Sequence, residues 1–156
     1  MKQNVAKMTI AQHTFVDHLG QLVVGWGLPR TTGRVWAYLL LHGAPSTLDD
    51  ITRDLDVAKS GASVAARQLV GFGLARSTGE RGSRRVLFSA IDSMDAMFAV
   101  RSESARALMR LLYEGGAVAS TQTTRAKLRD MASAIDDILE RESAAIAARS
   151  RKGKRS

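Results

Sequence analysis

Three arginines, Arg81, Arg84 and Arg85, crowd a short stretch that also holds Gly79 and Gly82. Guanidinium groups gathered on a turn suit phosphate oxygens or a narrow minor groove. Just upstream, Ser60, Ser63, Val64 and Arg67 fall on one side of a helix, with Lys59 at its start. That set has the chemistry to read a duplex. Lys59, Ser60 and Ser63 suit phosphates or base edges, Arg67 suits a guanine or a phosphate, and Val64 suits a thymine methyl. Each also has a purely structural alternative, such as Arg67 pairing with a nearby carboxylate or Ser60 acting only as a cap.

Catalytic constellations are missing. The chain has no cysteine, so it has no disulfide framework and no thiolate metal site. His13 and His18 are five positions apart, about 140° around a helix, which disfavours a shared metal. No glycine loop precedes a Lys-Ser or Lys-Thr pair, and Gly71-Phe72-Gly73 lacks the third glycine of a dinucleotide site. No nucleophile stands out with its base. The expectation is a non-enzyme with no cofactor and no metal.

The elements that must position the basic residues read as three short helices and a two-stranded hairpin, between Leu28 and Phe88. After Gly27-Leu28-Pro29-Arg30, Thr31 or Thr32 is expected to cap a helix carrying Val35, Trp36, Leu39 and Leu40, which Gly43-Ala44-Pro45 then stops. Ser46-Thr47-Leu48-Asp49-Asp50 pairs a hydroxyl cap with a carboxylate three residues on, opening a helix with Leu48, Ile51 and Leu55 inward. Beyond the turn Asp56-Val57-Ala58, Ala62, Ala65, Ala66 and Leu69 form the apolar stripe of a third helix. Leu74-Ala75-Arg76-Ser77 and Val86-Leu87-Phe88-Ser89 then alternate as strands around the basic turn. This order is the outline of a winged helix-turn-helix, a DNA-binding module.

Gly-Leu-Pro-Arg-Thr-Thr-Gly-Arg-Val at 27–35, Leu48-Asp49-Asp50-Ile51, Leu55-Asp56-Val57-Ala58-Lys59, Arg67-Gln68-Leu69 and Gly73-Leu74-Ala75-Arg76 follow one another in sequence. Over these residues the chain resembles the GbsR-like branch of the MarR transcriptional regulators. The resemblance implies a homodimeric winged-helix regulator that binds operator DNA, mostly as a repressor, and that releases it when a small ligand binds. Two departures stand out. Ala58 occupies the place where the family usually has a serine cap, so the cap comes from Ser60 or is missing. Val64 stands where many relatives carry a base-reading arginine, so the operator sequence does not carry over.

Residues 57–91 hold six basic groups and one acidic group, and 149–156 hold five and none, whereas 1–56 and 92–148 are near neutral or acidic. The net charge of +8 is therefore concentrated on the module and the tail. The N-terminus lacks a signal-peptide core and no apolar run approaches a membrane span, which points to the cytoplasm and no membrane partner.

Residues 1–27 are expected to hold an N-terminal helix near Thr9 to Gly25, with Phe15, Val16, Leu19, Leu22 and Val23 on one face, packing on the module or on a partner subunit. The module spans 28–91. A helical dimerisation region covers 92–148, first with Met94, Met97, Phe98, Ala105, Leu108, Leu111 and Leu112 buried, then interrupted at Gly115-Gly116. The last helix, about Thr121 to Arg149, carries Leu128, Met131, Ile135, Ile138 and Leu139 at spacings of three and four, a seam against another helix. That seam serves both the preceding helix and a second subunit, giving a four-helix dimer core. The basic tail 149–156 is expected to be disordered if it does not continue the helix.

The fold class is thus mainly α with a small β-hairpin wing, and the partners are a pseudo-palindromic duplex, a second copy and a small-molecule effector. Trp26, Trp36 and Tyr38, with His13, His18 or His42, are the candidates for an effector pocket, although core packing is the favoured reading for Trp36, which sits within an apolar helical run. Two rival readings are a coating protein that binds DNA without choosing sequence and a winged-helix module that contacts other proteins.

Overall fold

The computed structural model of the chain describes residues 7–153. The described elements are α1 (Ile10–Val24), α2 (Arg30–His42), α3 (Leu48–Leu55), α4 (Lys59–Gly71), β1 (Ala75–Gly79), β2 (Val86–Ala90), α5 (Met94–Val118) and α6 (Gln122–Gly153). They fall into two compact units that divide after Met97. Winged-helix architecture, mostly helical with one antiparallel hairpin, is what the first unit contains.

α2 is the centre of that unit. Thr32, Gly33, Val35, Trp36, Ala37, Tyr38 and Leu39 are all buried, so the helix is enclosed on nearly every side and behaves as core rather than as an amphipathic surface element. α1 packs along it on one side and α4 on another. The crossing with α1 is close because glycine faces glycine. Gly20 and Gly33 remove two side chains from the contact, and Val16 and Val23 fill the space on either side. Thr9 closes a capping box with Gln12 at the start of α1.

Two expectations about caps divide here. Thr47 and Asp50 form the reciprocal capping box read from sequence at the start of α3. At α2, however, neither Thr31 nor Thr32 is a cap. Pro29 holds the N-cap position without a side-chain hydrogen bond, and its ring presets the backbone for a helix that begins at Arg30. Thr32 is thereby one turn inside, fully buried, and its hydroxyl donates instead to Gln68 Oε1 of α4 at 2.6 Å. A buried hydroxyl demands a partner, and this one ties the central helix to the helix with the basic face.

The hairpin pairs Ala75 with Ala90 and Gly79 with Val86, and Gly82 supplies the positive φ of 78° that its turn requires. Ser46 adds a bridge beside it. Ser46 and Phe88 exchange both backbone hydrogen bonds at 2.8 Å, so the segment between α2 and α3 anchors the wing to the helices.

In the second unit, α5 begins behind Ser93, whose hydroxyl accepts from the Asp95 amide, and it runs through Gly115-Gly116 rather than breaking there. The glycines lie against α6. A Cβ at Gly115 would touch Leu128, and one at Gly116 would touch the Arg125 carbonyl and the Arg129 side chain, all at ordinary contact distance. The helix thus continues past two residues that weaken it, with α6 in contact alongside. Ser102 donates to Glu142 at the other end of the pair, which fixes the two helices as antiparallel. Residues 149–153 of the tail continue α6 as helix, and 154–156 lie outside the described residues.

Candidate nucleic-acid interface

α4 presents two faces of opposite character. Ala62, Ala65, Ala66 and Leu69 are buried against the unit, while Ser60, Val64 and Arg67 are exposed and Ser63 is half-buried. The small inward side chains let α4 lie close to α2, and that packing fixes which residues turn outward. Arg67 makes no ion pair among the described residues, and neither Ser60 nor Ser63 spends its hydroxyl on a protein partner there. Ala58 is the N-cap residue and offers no side-chain hydrogen bond, so of the two outcomes read from sequence the cap is the missing one.

Lys59 is different. Its Nζ lies 2.8 Å from Asp49 Oδ1 on α3, so the first cation of α4 already has a carboxylate beside it.

Arg81, Arg84 and Arg85 are exposed on the turn between β1 and β2, without an ion pair among the described residues. The turn itself is ordered by its own bonds. Glu80 donates its amide to Arg85, Ser83 donates to Glu80, and the Ser83 hydroxyl accepts from the Arg85 amide. At the base of the hairpin Arg76 pairs with Asp92 at 2.6 Å. The helix face and the wing tip thus offer four unpaired guanidinium groups from one folded unit.

The expected effector residues come together only in part. Tyr38, His13 and His42 line a cavity of about 490 Å³ with Leu41, Arg53 and Asp54. Trp26 and Trp36 stand elsewhere and face each other at 6.0 Å, Trp36 buried and Trp26 half-exposed. Trp36 and Tyr38 are two residues apart, about 200° around α2, so a cavity that takes one excludes the other. His18 is exposed and does not line it.

Inside that cavity Tyr38 donates to Asp54 Oδ2 at 2.8 Å, and Arg53 pairs with the other oxygen at 2.9 Å. Burial pushes the Tyr38 phenol well above its ordinary value of 10.0, and the bond to Asp54 adds to the shift. The sign follows directly. Below pH 10 both folded and unfolded chains keep the phenol neutral, but above it only the unfolded chain ionises readily. Stability is expected to fall there by up to about 1.4 kcal/mol per pH unit. Chemical denaturation between pH 9 and 11 should show this slope flattened in Tyr38→Phe, and an identical slope in both proteins would remove Tyr38 as its source.

The seam residues of α6 also divide. Leu128, Ala132, Ile135 and Leu139 share the face turned to α5, whereas Met131 and Ile138 are 47% and 54% exposed. Phe15 and Leu22 of α1, expected on the buried face, are 42% and 53% exposed, because the face turned to the crossing with α2 is that of Val16, Gly20 and Val23.

No family model matches the chain. It is 24% identical over 78 residues to a curated protein named as an HTH-type transcriptional regulator, YvaV of Bacillus subtilis (strain 168). That match takes in 50% of this chain and 44% of the relative, so the chain spans less than half of the relative's length. A solved structure described as a transcriptional regulator superposes with a TM-score of 0.65 at 23% identity, covering 86% of this chain and 99% of that one. The likeness shows a shared fold. A MarR family regulator from Neisseria meningitidis is also similar, at 19% identity and a TM-score of 0.38, over 85% of this chain and 91% of the other. Each of the three is described as a regulator. Among the described residues no helix is long and apolar enough to cross a membrane, and no group of His, Asp or Glu side chains is placed to hold a metal.

Proposed function

We propose that this chain is a sequence-specific DNA-binding transcriptional regulator of the MarR type, in its GbsR-like branch, that acts as a homodimeric repressor. The observation that carries the reading is the outward face of α4, where Ser60, Ser63, Val64 and Arg67 stand free of protein partners beside an arginine-tipped wing. α4 reads base edges in the major groove, and Arg81, Arg84 and Arg85 fasten the wing to phosphates or to the minor groove.

Dimerisation is supported by apolar side chains that the single chain leaves in water. Met131 and Ile138 on α6, and Leu108 and Leu111 on α5, are all about half exposed or more. A second copy covers them in a four-helix core, and two recognition helices then meet a pseudo-palindromic site. The cavity beside Tyr38 has the size of a small-molecule site and is lined in part by Arg53 and Asp54 of α3, so a ligand there would bear on the helix next to α4. Relief of repression is assigned to that cavity.

The wing tests the electrostatic half of this reading. Replacing Arg81, Arg84 and Arg85 together with alanine is expected to weaken binding to any duplex and to lower the salt slope by about 0.9 per lost phosphate contact. Anisotropy titrations of a labelled duplex at several salt concentrations measure it. An unchanged slope would take the wing off the DNA.

A further inference from the structure

Asp49 lies on the first turn of α3 beside another carboxylate, yet the two are used differently. Asp50 is committed to the fold, since it accepts from the Thr47 amide and hydroxyl and from Arg53 Nη2. Those bonds hold its carboxyl below the ordinary aspartate range, the Thr47 hydroxyl contributing most. Asp49 makes none of them. Its sole ion-pair partner among the described residues is Lys59 Nζ at 2.8 Å, across the turn from α3 to α4.

Both side chains of this pair are largely in water, 66% exposed for Lys59 and 76% for Asp49. Asp49 suits the positive end of the α3 dipole, but an exposed pair of this kind adds little further stability through Lys59. The consequence for binding is larger. Lys59 is the first residue of α4, whose N-cap residue Ala58 makes no side-chain hydrogen bond. A phosphate approaching the ammonium must displace the carboxylate or accept its repulsion.

We propose that Asp49 is a built-in competitor for the Lys59 ammonium, which holds down non-specific phosphate binding so that discrimination rests on the outward face of α4. The inference rests on the DNA-binding reading above. Asp49 acts through Lys59, as a positioning residue, and makes no DNA contact of its own. Removing it frees one cation per subunit without touching Ser63, Val64 or Arg67.

A double-mutant cycle tests this on the full chain, using Asp49→Asn, Lys59→Ala and both together, titrated against a mixed-sequence duplex at several salt concentrations. Asp49→Asn is expected to bind about three- to tenfold more tightly, with a salt slope steeper by about 0.9 per subunit. That gain should vanish in the Lys59→Ala background. Asp49→Ser, which keeps a residue favoured near helix starts, guards against a folding defect in the first variant. A gain that survives the loss of Lys59 would overturn the proposal in favour of a general charge effect, and so would the absence of any gain. If none of the proteins bound any duplex, the DNA-binding reading itself would fail, and this inference with it.

Discussion

Gly33→Ala is expected to lower the stability of the chain by about 3 kcal/mol and its melting temperature by about 6–12 °C. A Cβ at this position would lie 2.6 Å from the Leu19 carbonyl oxygen, 2.6 Å from Val23 Cγ2 and 2.7 Å from the Gly20 Cα. Two of those three atoms are backbone, so no side chain can swing aside to make room. α1 and α2 would have to separate, which opens the core around Val16 and Val23. A loss of that size is a large part of the total stability of a small domain. Gly61→Ala is the control. Its Cβ meets nothing nearer than Thr31 Cγ2 at 4.0 Å, and alanine is the better helix former, so this variant should melt slightly higher. Thermal melts followed by circular dichroism separate the two, and equal melting of Gly33→Ala and the parent would refute the close crossing.

The second large effect concerns discrimination. Arg67→Ala is expected to reduce preference for a selected site over a mixed-sequence duplex by at least tenfold, within the roughly 1–3 kcal/mol of a good base-directed contact. Affinity for the mixed-sequence duplex should change far less. Arg67 lies on the exposed face of α4 with Val64, on the side away from Ala62, Ala66 and Leu69, so its removal leaves the packing of α4 intact. Competition binding with both duplexes reads the ratio directly. Equal losses on both would make Arg67 a phosphate contact and shift readout to Ser63 and Val64.

Much of this architecture is legible in the residues because local chemistry specifies it. The Thr47–Asp50 box, the alanine stripe of α4 and the glycine-permitted wing turn each depend on neighbours within a few positions. The outward set Ser60, Ser63, Val64 and Arg67 follows from the same periodicity, since burying one face of a helix dictates the other.

What eluded the sequence depends on tertiary approach. Thr32 has the side chain of a cap, but Pro29 starts the helix earlier and burial sends its hydroxyl to Gln68, 36 positions away. Gly115 and Gly116 have the composition of a break, yet α6 packs on them and the helix continues. The bridge between Ser46 and Phe88 is a single residue pair with no periodic signature. Trp36 and Tyr38 stand apart for a simpler reason, namely that residues two positions apart on a helix point nearly opposite ways. Asp49 beside Lys59 belongs with these tertiary contacts, because nothing in either segment announces that the two helices bring the charges together.

The central claim is that the outward face of α4 chooses sequence and that two copies do so together. Selection of bound sites from a random duplex library at near-physiological salt, followed by sequencing of the recovered DNA, tests it most directly. The prediction is a pseudo-palindromic motif with half-sites about one helical turn apart. Recovery of DNA without any motif would contradict the claim and identify a protein that coats duplexes without choosing among them.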